Sequence, residues 1–141
     1  MTERESAGTG WLLEVAATRR AQHLKEALRP YGVRPRWYGV LIALAEAGPL
    51  PQHQLGELLG IDRTTMVGLV DRLEEEGMAG RRRGVDDRRR YLIELTEKGR
   101  ARARELLLIG SEVDAELLSG LTPDERAALE GLLARIAGQP A

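Results

Sequence analysis

Cysteine is absent from the chain, and with it go disulfide frameworks, thiol nucleophiles, iron–sulfur clusters and cysteine-based redox sensing. No run of about 18 apolar residues occurs, so no membrane-spanning helix is expected. The opening stretch MTERESAGTG has neither the basic flank nor the apolar core of a signal peptide, and a cytoplasmic location is the expectation. The two histidines, His23 and His53, sit at no ligand spacing, so neither a metal nor a cofactor is expected. Acids such as Glu94 and Glu97 flank structural elements rather than converge, and no Ser-His-Asp set or phosphate loop is visible. An enzyme is therefore not expected.

Net charge is also nearly missing, at −1 over 141 residues, where a generic polyanion binder would be strongly basic. The charge is instead concentrated. Positions 81–90 read RRRGVDDRRR, six arginines against two aspartates, which places +4 in ten residues. Only Lys25 and Lys98 among the 21 basic residues are lysines, a bias that a GC-rich genome explains as readily as a need for bidentate guanidinium contacts. With 43% hydrophobic and 30% charged residues, the chain suits one soluble domain.

Helical periodicity dominates. Leu13, Ala17, Ala21, Leu24 and Leu28 form one stripe that Pro30 closes. Pro35 suits the first position of a second helix carrying Trp37, Val40, Leu41 and Leu44 and ending before Gly48. Pro51 is expected to open a short third helix with Leu55, Leu58 and Leu59, stopped by Gly60. Asp62 is a good N-cap for a fourth, with Met66, Leu69, Val70 and Leu73 inward and Gly77 as its stop. The period then changes to two: Tyr91, Ile93 and Leu95 alternate onto one face of a strand whose partner lies near 78–83, joined by a turn at Gly84 to Asp87. Thr96 can cap a long fifth helix to about Leu118, and Thr122-Pro123-Asp124-Glu125 opens a sixth with Leu129, Leu132, Leu133 and Ile136. Gly8 to Gly10 and Gly138 to Ala141 read as frayed ends. The order is ααααββαα, a mainly α chain with a small β-hairpin.

The tight turn Leu59-Gly60-Ile61-Asp62 gives the third and fourth helices helix-turn-helix spacing. In such a motif the second helix enters the major groove. Opposite its apolar stripe lie Arg63, Thr64, Thr65, Gly68 and Arg72; arginine can donate twice to guanine, and threonine offers a hydroxyl and a methyl. Glu74 to Glu76 close the helix and would repel phosphate, so only its first two turns are expected to enter. A β-ribbon directly after a helix-turn-helix makes a winged helix, and a cationic tip can reach the minor groove of A·T-rich DNA. Two packed bundle helices and a solvated charged turn would be the plainer account of either feature alone.

The stretch Asp87-Arg88-Arg89-Arg90-Tyr91-Leu92-Ile93-Glu94-Leu95-Thr96, continuing to Gly99, resembles the wing signature of the MarR family of bacterial transcription regulators, D-x-R-x-x-x-[IV]-x-L-T-x-x-G, at every specified position. Leu58 to Met66 and Leu69 to Gly77 are similar to that family's recognition region, and Trp37 stands where its second helix often carries tryptophan. The close match covers roughly residues 35–99. The resemblance implies that Arg89 inserts into the minor groove with Asp87 orienting it, that Arg88 and Arg90 are phosphate or rim contacts, and that Arg63, Thr64, Thr65 and Arg72 serve the major groove. Gly68 departs from the longer, commonly basic residue of relatives.

The first helix, the Leu106 to Ile109 run and the Leu129 to Ile136 stripe hold more apolar surface than one winged helix covers, so a homodimer on a palindrome is expected, with half-sites about 10 base pairs apart. Residues 1–34 and 97–141 would be the dimerisation region and 35–96 the DNA-binding domain. The family commonly responds to small, often anionic aromatic compounds bound between these regions. The resemblance points to Arg19, His23 and Tyr38 for such an effector, with Trp11, Tyr31, Trp37 and Arg20 nearby in sequence; a core Trp37, a turn-anchoring Tyr31 and a solvated face at 19–23 remain the alternatives. The resulting expectation is a ligand-released repressor. The competing expectation is a winged-helix protein-interaction module without operator specificity.

Overall fold

The computed structural model describes residues 7–86 and 90–139. The chain runs α1 (Gly8–Leu28), a single turn of 3-10 helix (Arg29–Tyr31), α2 (Pro35–Ala47), β1 (Leu50–Pro51), α3 (Gln52–Leu59), α4 (Arg63–Glu75), β2 (Ala79–Arg83), β3 (Tyr91–Leu95), α5 (Glu97–Leu117) and α6 (Pro123–Ile136). The result is a mainly helical winged helix-turn-helix fold with a three-stranded antiparallel sheet in the order β1-β3-β2. Within the wing, Ala79 faces Leu95 and Arg83 faces Tyr91, and the Gly84 N–H donates to the Arg90 carbonyl at 2.8 Å to close the hairpin. None of the described helices is long and apolar enough to cross a membrane.

One hydrophobic core joins these elements. Leu28 of α1, Val40 and Leu41 of α2, Leu55 of α3, Met66, Val70 and Leu73 of α4, Ile93 of β3 and Leu106 of α5 are all fully buried within it. Each such side chain contributes about 1.5–3 kcal/mol relative to exposure. The helical periods therefore meet in one place, and α3 and α4 rest on the same core as α1 and α5.

Three expectations need correction. Gly8 to Gly10 belong to the first turn of α1 rather than to a frayed end. Pro51 does not open α3: it pairs with Leu92 in β1, and the helix begins at Gln52. Proline has no N–H to donate, which suits a sheet edge, and the sheet has a third strand beyond the hairpin. Along β3, Ile93 and Leu95 are buried while Tyr91 is exposed, because its ring lies beyond the core and packs under Arg83.

The helix ends follow the sequence punctuation. Asp62 accepts from the Thr65 hydroxyl at 2.7 Å and from the Thr65 N–H at 3.0 Å. The hydroxyl bond, then the backbone bond, hold its carboxyl below the ordinary value of 3.8, with a smaller contribution from Arg36. Thr122 and Glu125 form a reciprocal capping box on α6. Gly77, with φ of +72°, ends α4 in the left-handed conformation that glycine adopts without strain.

Two glycines are opposites. At Gly99 an added Cβ would collide with the Met78 carbonyl, whereas around Gly68 there is open space within 4 Å. Gly99→Ala is expected to cost roughly 1–3 kcal/mol of stability, and Gly68→Ala to add up to about 1 kcal/mol; urea denaturation of both variants checks the two signs. The Asp62 cap is pH-dependent in a definite sense: a lowered folded pKa gives stabilisation that is present above 3.8 and lost as pH falls through the lower folded value. Asp62→Ala is expected to melt below the wild type at about pH 7, with the gap narrowing by about pH 3, measured by thermal denaturation.

Candidate nucleic-acid interface

Helices α3 and α4 meet across Gly60-Ile61-Asp62. Gly60 takes φ of +65°, and the Ile61 N–H returns to the Gly56 carbonyl at 2.9 Å. Gly56 is buried, and a Cβ there would stand 2.9 Å from the Ile61 carbonyl oxygen and 3.2 Å from Met66. The turn is tight because both positions lack a side chain. Gly60 was legible as a helix stop; Gly56 carried no local signal, since its constraint comes from atoms five and ten residues onward.

Burying Met66, Val70 and Leu73 turns Arg63, Thr64, Val67, Gly68, Asp71 and Arg72 toward solvent. Thr64 and Gly68 lie near the middle of that face. Thr65 is half-buried and its hydroxyl is committed to Asp62, so the side chain works first as part of the helix start. Arg72 extends over Trp37 of α2, with its guanidinium carbon 5.7 Å from the ring centroid. Val67, one turn after Arg63, is an exposed apolar side chain on the same face.

The basic run divides into two. On the strands, each arginine has a partner far away in sequence. Arg82 donates to Glu94 at 2.7 Å, Arg83 donates to the Tyr91 hydroxyl at 3.3 Å and covers its ring, and Arg81 meets Asp71 and Glu74 of α4 and Gln52 of α3. Beyond them, Arg90 is exposed with one nitrogen 3.5 Å from His53 Nε2. Asp87, Arg88 and Arg89 lie outside the described residues. Arg81 and Arg82 thus neutralise acids of the domain, while Arg83 is held by a tyrosine.

Between the wing base and the helix-turn-helix runs a cleft of about 830 Å³ whose rim carries Gln52, His53, Arg63, Arg81 and Arg90. It opens beside the start of α4, whose N-terminal backbone N–H groups carry partial positive charge. Its cations are Arg63 at the start of α4 and Arg81 and Arg90 of the wing, set beside the carboxylates of Glu57 and Asp62. His53 belongs to this rim although its position in sequence gave no hint of it.

The residues expected to contact an effector are arranged differently from their sequence order. Tyr38 is buried, and its hydroxyl accepts from Arg20 at 3.3 Å. Arg20 also donates to Asp114 of α5 at 2.9 Å and lies 5.8 Å from the Tyr38 centroid. Burial works against the Arg20 charge, but its bonds to Asp114 and Tyr38 outweigh this and hold it above its ordinary range. Arg19 is exposed and His23 half-buried on the same helix. The structure joins Tyr38 to Arg20, with Gly110 beneath the hydroxyl where a Cβ would collide with it.

A family model described as the MarR family matches residues 31–90. A protein assigned as transcriptional regulator of the hcr operon in Thauera aromatica is 33% identical over 74% of this chain, and the match spans 63% of that longer protein. Among solved structures, a cysteine-to-serine mutant of MarR from E. coli complexed with operator DNA is 29% identical, covers 90% of this chain and 91% of its own, and gives a TM-score of 0.71. CouR from Rhodococcus jostii RHA1, bound to p-coumaroyl-CoA, is 30% identical over 96% of both chains, with a TM-score of 0.79. The helix-turn-helix, the wing and these similarities agree: the chain belongs to the MarR family of DNA-binding transcriptional regulators, and not among enzymes.

Proposed function

We propose that this regulator binds a palindromic operator duplex as a homodimer in the cytoplasm and represses until a small ligand releases it. The observation that carries the DNA-binding mode is the juxtaposition of the solvent-facing side of α4 with the wing across a cleft that exposes Arg63 and Arg90. In this reading Arg63 and Thr64 meet the major groove, Thr65 sets the helix start beside a phosphate, and Arg72 moves from Trp37 or flanks the groove. Arg88, Arg89 and Arg90 serve the minor groove and its rim, with Asp87 orienting Arg89.

Dimerisation is supported by α6. None of its described side chains is buried, and Leu132, Leu133 and Ile136 are exposed. On α1, Trp11, Leu12 and Leu13 are exposed too, as is Leu108 on α5. A second copy offers the same apolar faces in return, which is what a two-fold interface requires. Residues 1–34 and 97–141 then form the dimerisation region, and 35–96 the DNA-binding domain. Release by a ligand follows from linkage: an effector that prefers a DNA-incompetent spacing of the two recognition helices weakens operator affinity by its differential free energy. The p-coumaroyl-CoA bound to CouR supports a small-molecule effector for this chain as well, with Arg19, His23 and Tyr38 as candidate contacts and Arg20 joined to Tyr38.

Selection of bound duplexes from a random pool, with and without a panel of aromatic acids, tests this reading. Affinity for a selected duplex is expected to fall with salt at a log-log slope of about 0.9 per phosphate contacted. Arg89→Ala is expected to weaken binding about tenfold and to reduce the preference for A·T-rich flanks. A flat salt response, a monomer at micromolar concentration, or an unchanged Arg89→Ala variant would favour a protein-interaction module instead.

A further inference from the structure

Helix α4 carries acids in the half that faces the wing, and a recognition helix with uncompensated carboxylates works against a phosphate backbone. Asp71 and Glu74 are three residues apart and so share one flank. Into the space between them comes one side chain from outside the helix. Arg81 of β2 pairs through Nη2 with Asp71 at 2.9 Å and through Nη1 with Glu74, and the same Nη2 lies 3.3 Å from the Gln52 side-chain oxygen. Arg81 retains 27% of its side-chain exposure, against 51% for Asp71 and 36% for Glu74.

We infer that Arg81 is a positioning residue for DNA binding: its guanidinium masks Asp71 and Glu74, so that the recognition helix can approach phosphate without self-generated repulsion. The inference rests on the DNA-binding reading above and adds a task to an arginine that would otherwise be counted among direct DNA contacts. The planar fork suits it, since one nitrogen can serve each carboxylate while a lysine ammonium is a single point charge. The same contacts tie β2 to both helices of the helix-turn-helix, which sets the direction in which the wing leaves the domain. Neighbouring Arg82 and Arg83 do not perform this role, because Glu94 and Tyr91 occupy them within the sheet.

The test compares wild type, Arg81→Ala, Arg81→Lys and the triple variant Arg81→Ala with Asp71→Asn and Glu74→Gln, each titrated against a selected duplex by fluorescence anisotropy and melted in parallel. Arg81→Ala is expected to bind about tenfold more weakly at low salt, Arg81→Lys in between. Removing the two acids in the Arg81→Ala background is expected to bring affinity back to within about threefold of wild type. Recovery on deleting the acids is the signature of masking, since a side chain needed only to hold the wing in place is not replaced by two neutral amides. Arg81→Ala binding like wild type, or a triple variant as weak as Arg81→Ala, overturns the inference. A wild-type chain that selects no duplex overturns the DNA-binding reading itself.

Discussion

The whole arrangement hangs on one junction, where the end of α4 meets the start of α5. The Thr96 hydroxyl donates to the Gly77 carbonyl at 2.6 Å and accepts from the Gly99 N–H at 3.1 Å. The Thr96 N–H donates to the Met78 carbonyl at 3.0 Å, and Lys98 reaches the Glu76 carbonyl at 2.8 Å. Carbonyls of the three residues that follow α4 are thereby satisfied by groups that begin α5. Gly99 lets the backbones approach closely enough for this. The Leu-Thr-x-x-Gly end of the wing signature is thus a joint between α4 and α5.

A second consequence concerns charge. The basic run looks like six equivalent cations in sequence, yet three of them face partners on other elements. Arg81 and Arg82 spend their charge on ion pairs within the protein, and Arg83 lies over Tyr91; partial burial makes such a pair stronger than one at a fully exposed surface. A count of positive residues therefore overstates what the wing offers to a polyanion. On the rim of the cleft Arg63 of α4 and Arg90 at the hairpin end are exposed, whereas Arg81 is held by acids of α4.

The elements with local signals were legible in the sequence. Asp62 and Gly77 bracket α4, Thr122 and Glu125 open α6, and Thr96 caps α5, because caps need only a side chain and a backbone group within a turn. β1 was not legible, since two residues carry no period and its partner lies some forty positions onward. Gly56 and Gly99 matter because of atoms brought close by the fold. Arg20 and Arg19 could not be told apart by composition; a helix rotates about 100° per residue, and only the position of α2 and α5 decides which guanidinium finds Tyr38 and Asp114. Similarly, periodicity placed Arg72 away from the core of α4 but could not reveal that Trp37 lies beside it.

Helix α6 has fourteen residues, a strong N-terminal cap and no buried side chain in its own chain. A segment of that length is marginal as a free helix in water. In the proposed homodimer a second copy would supply what lies against it, so its folding would be tied to encounter: in dilute solution the C-terminal helix content would measure how often the covering surface is occupied, and the last step of folding would be bimolecular.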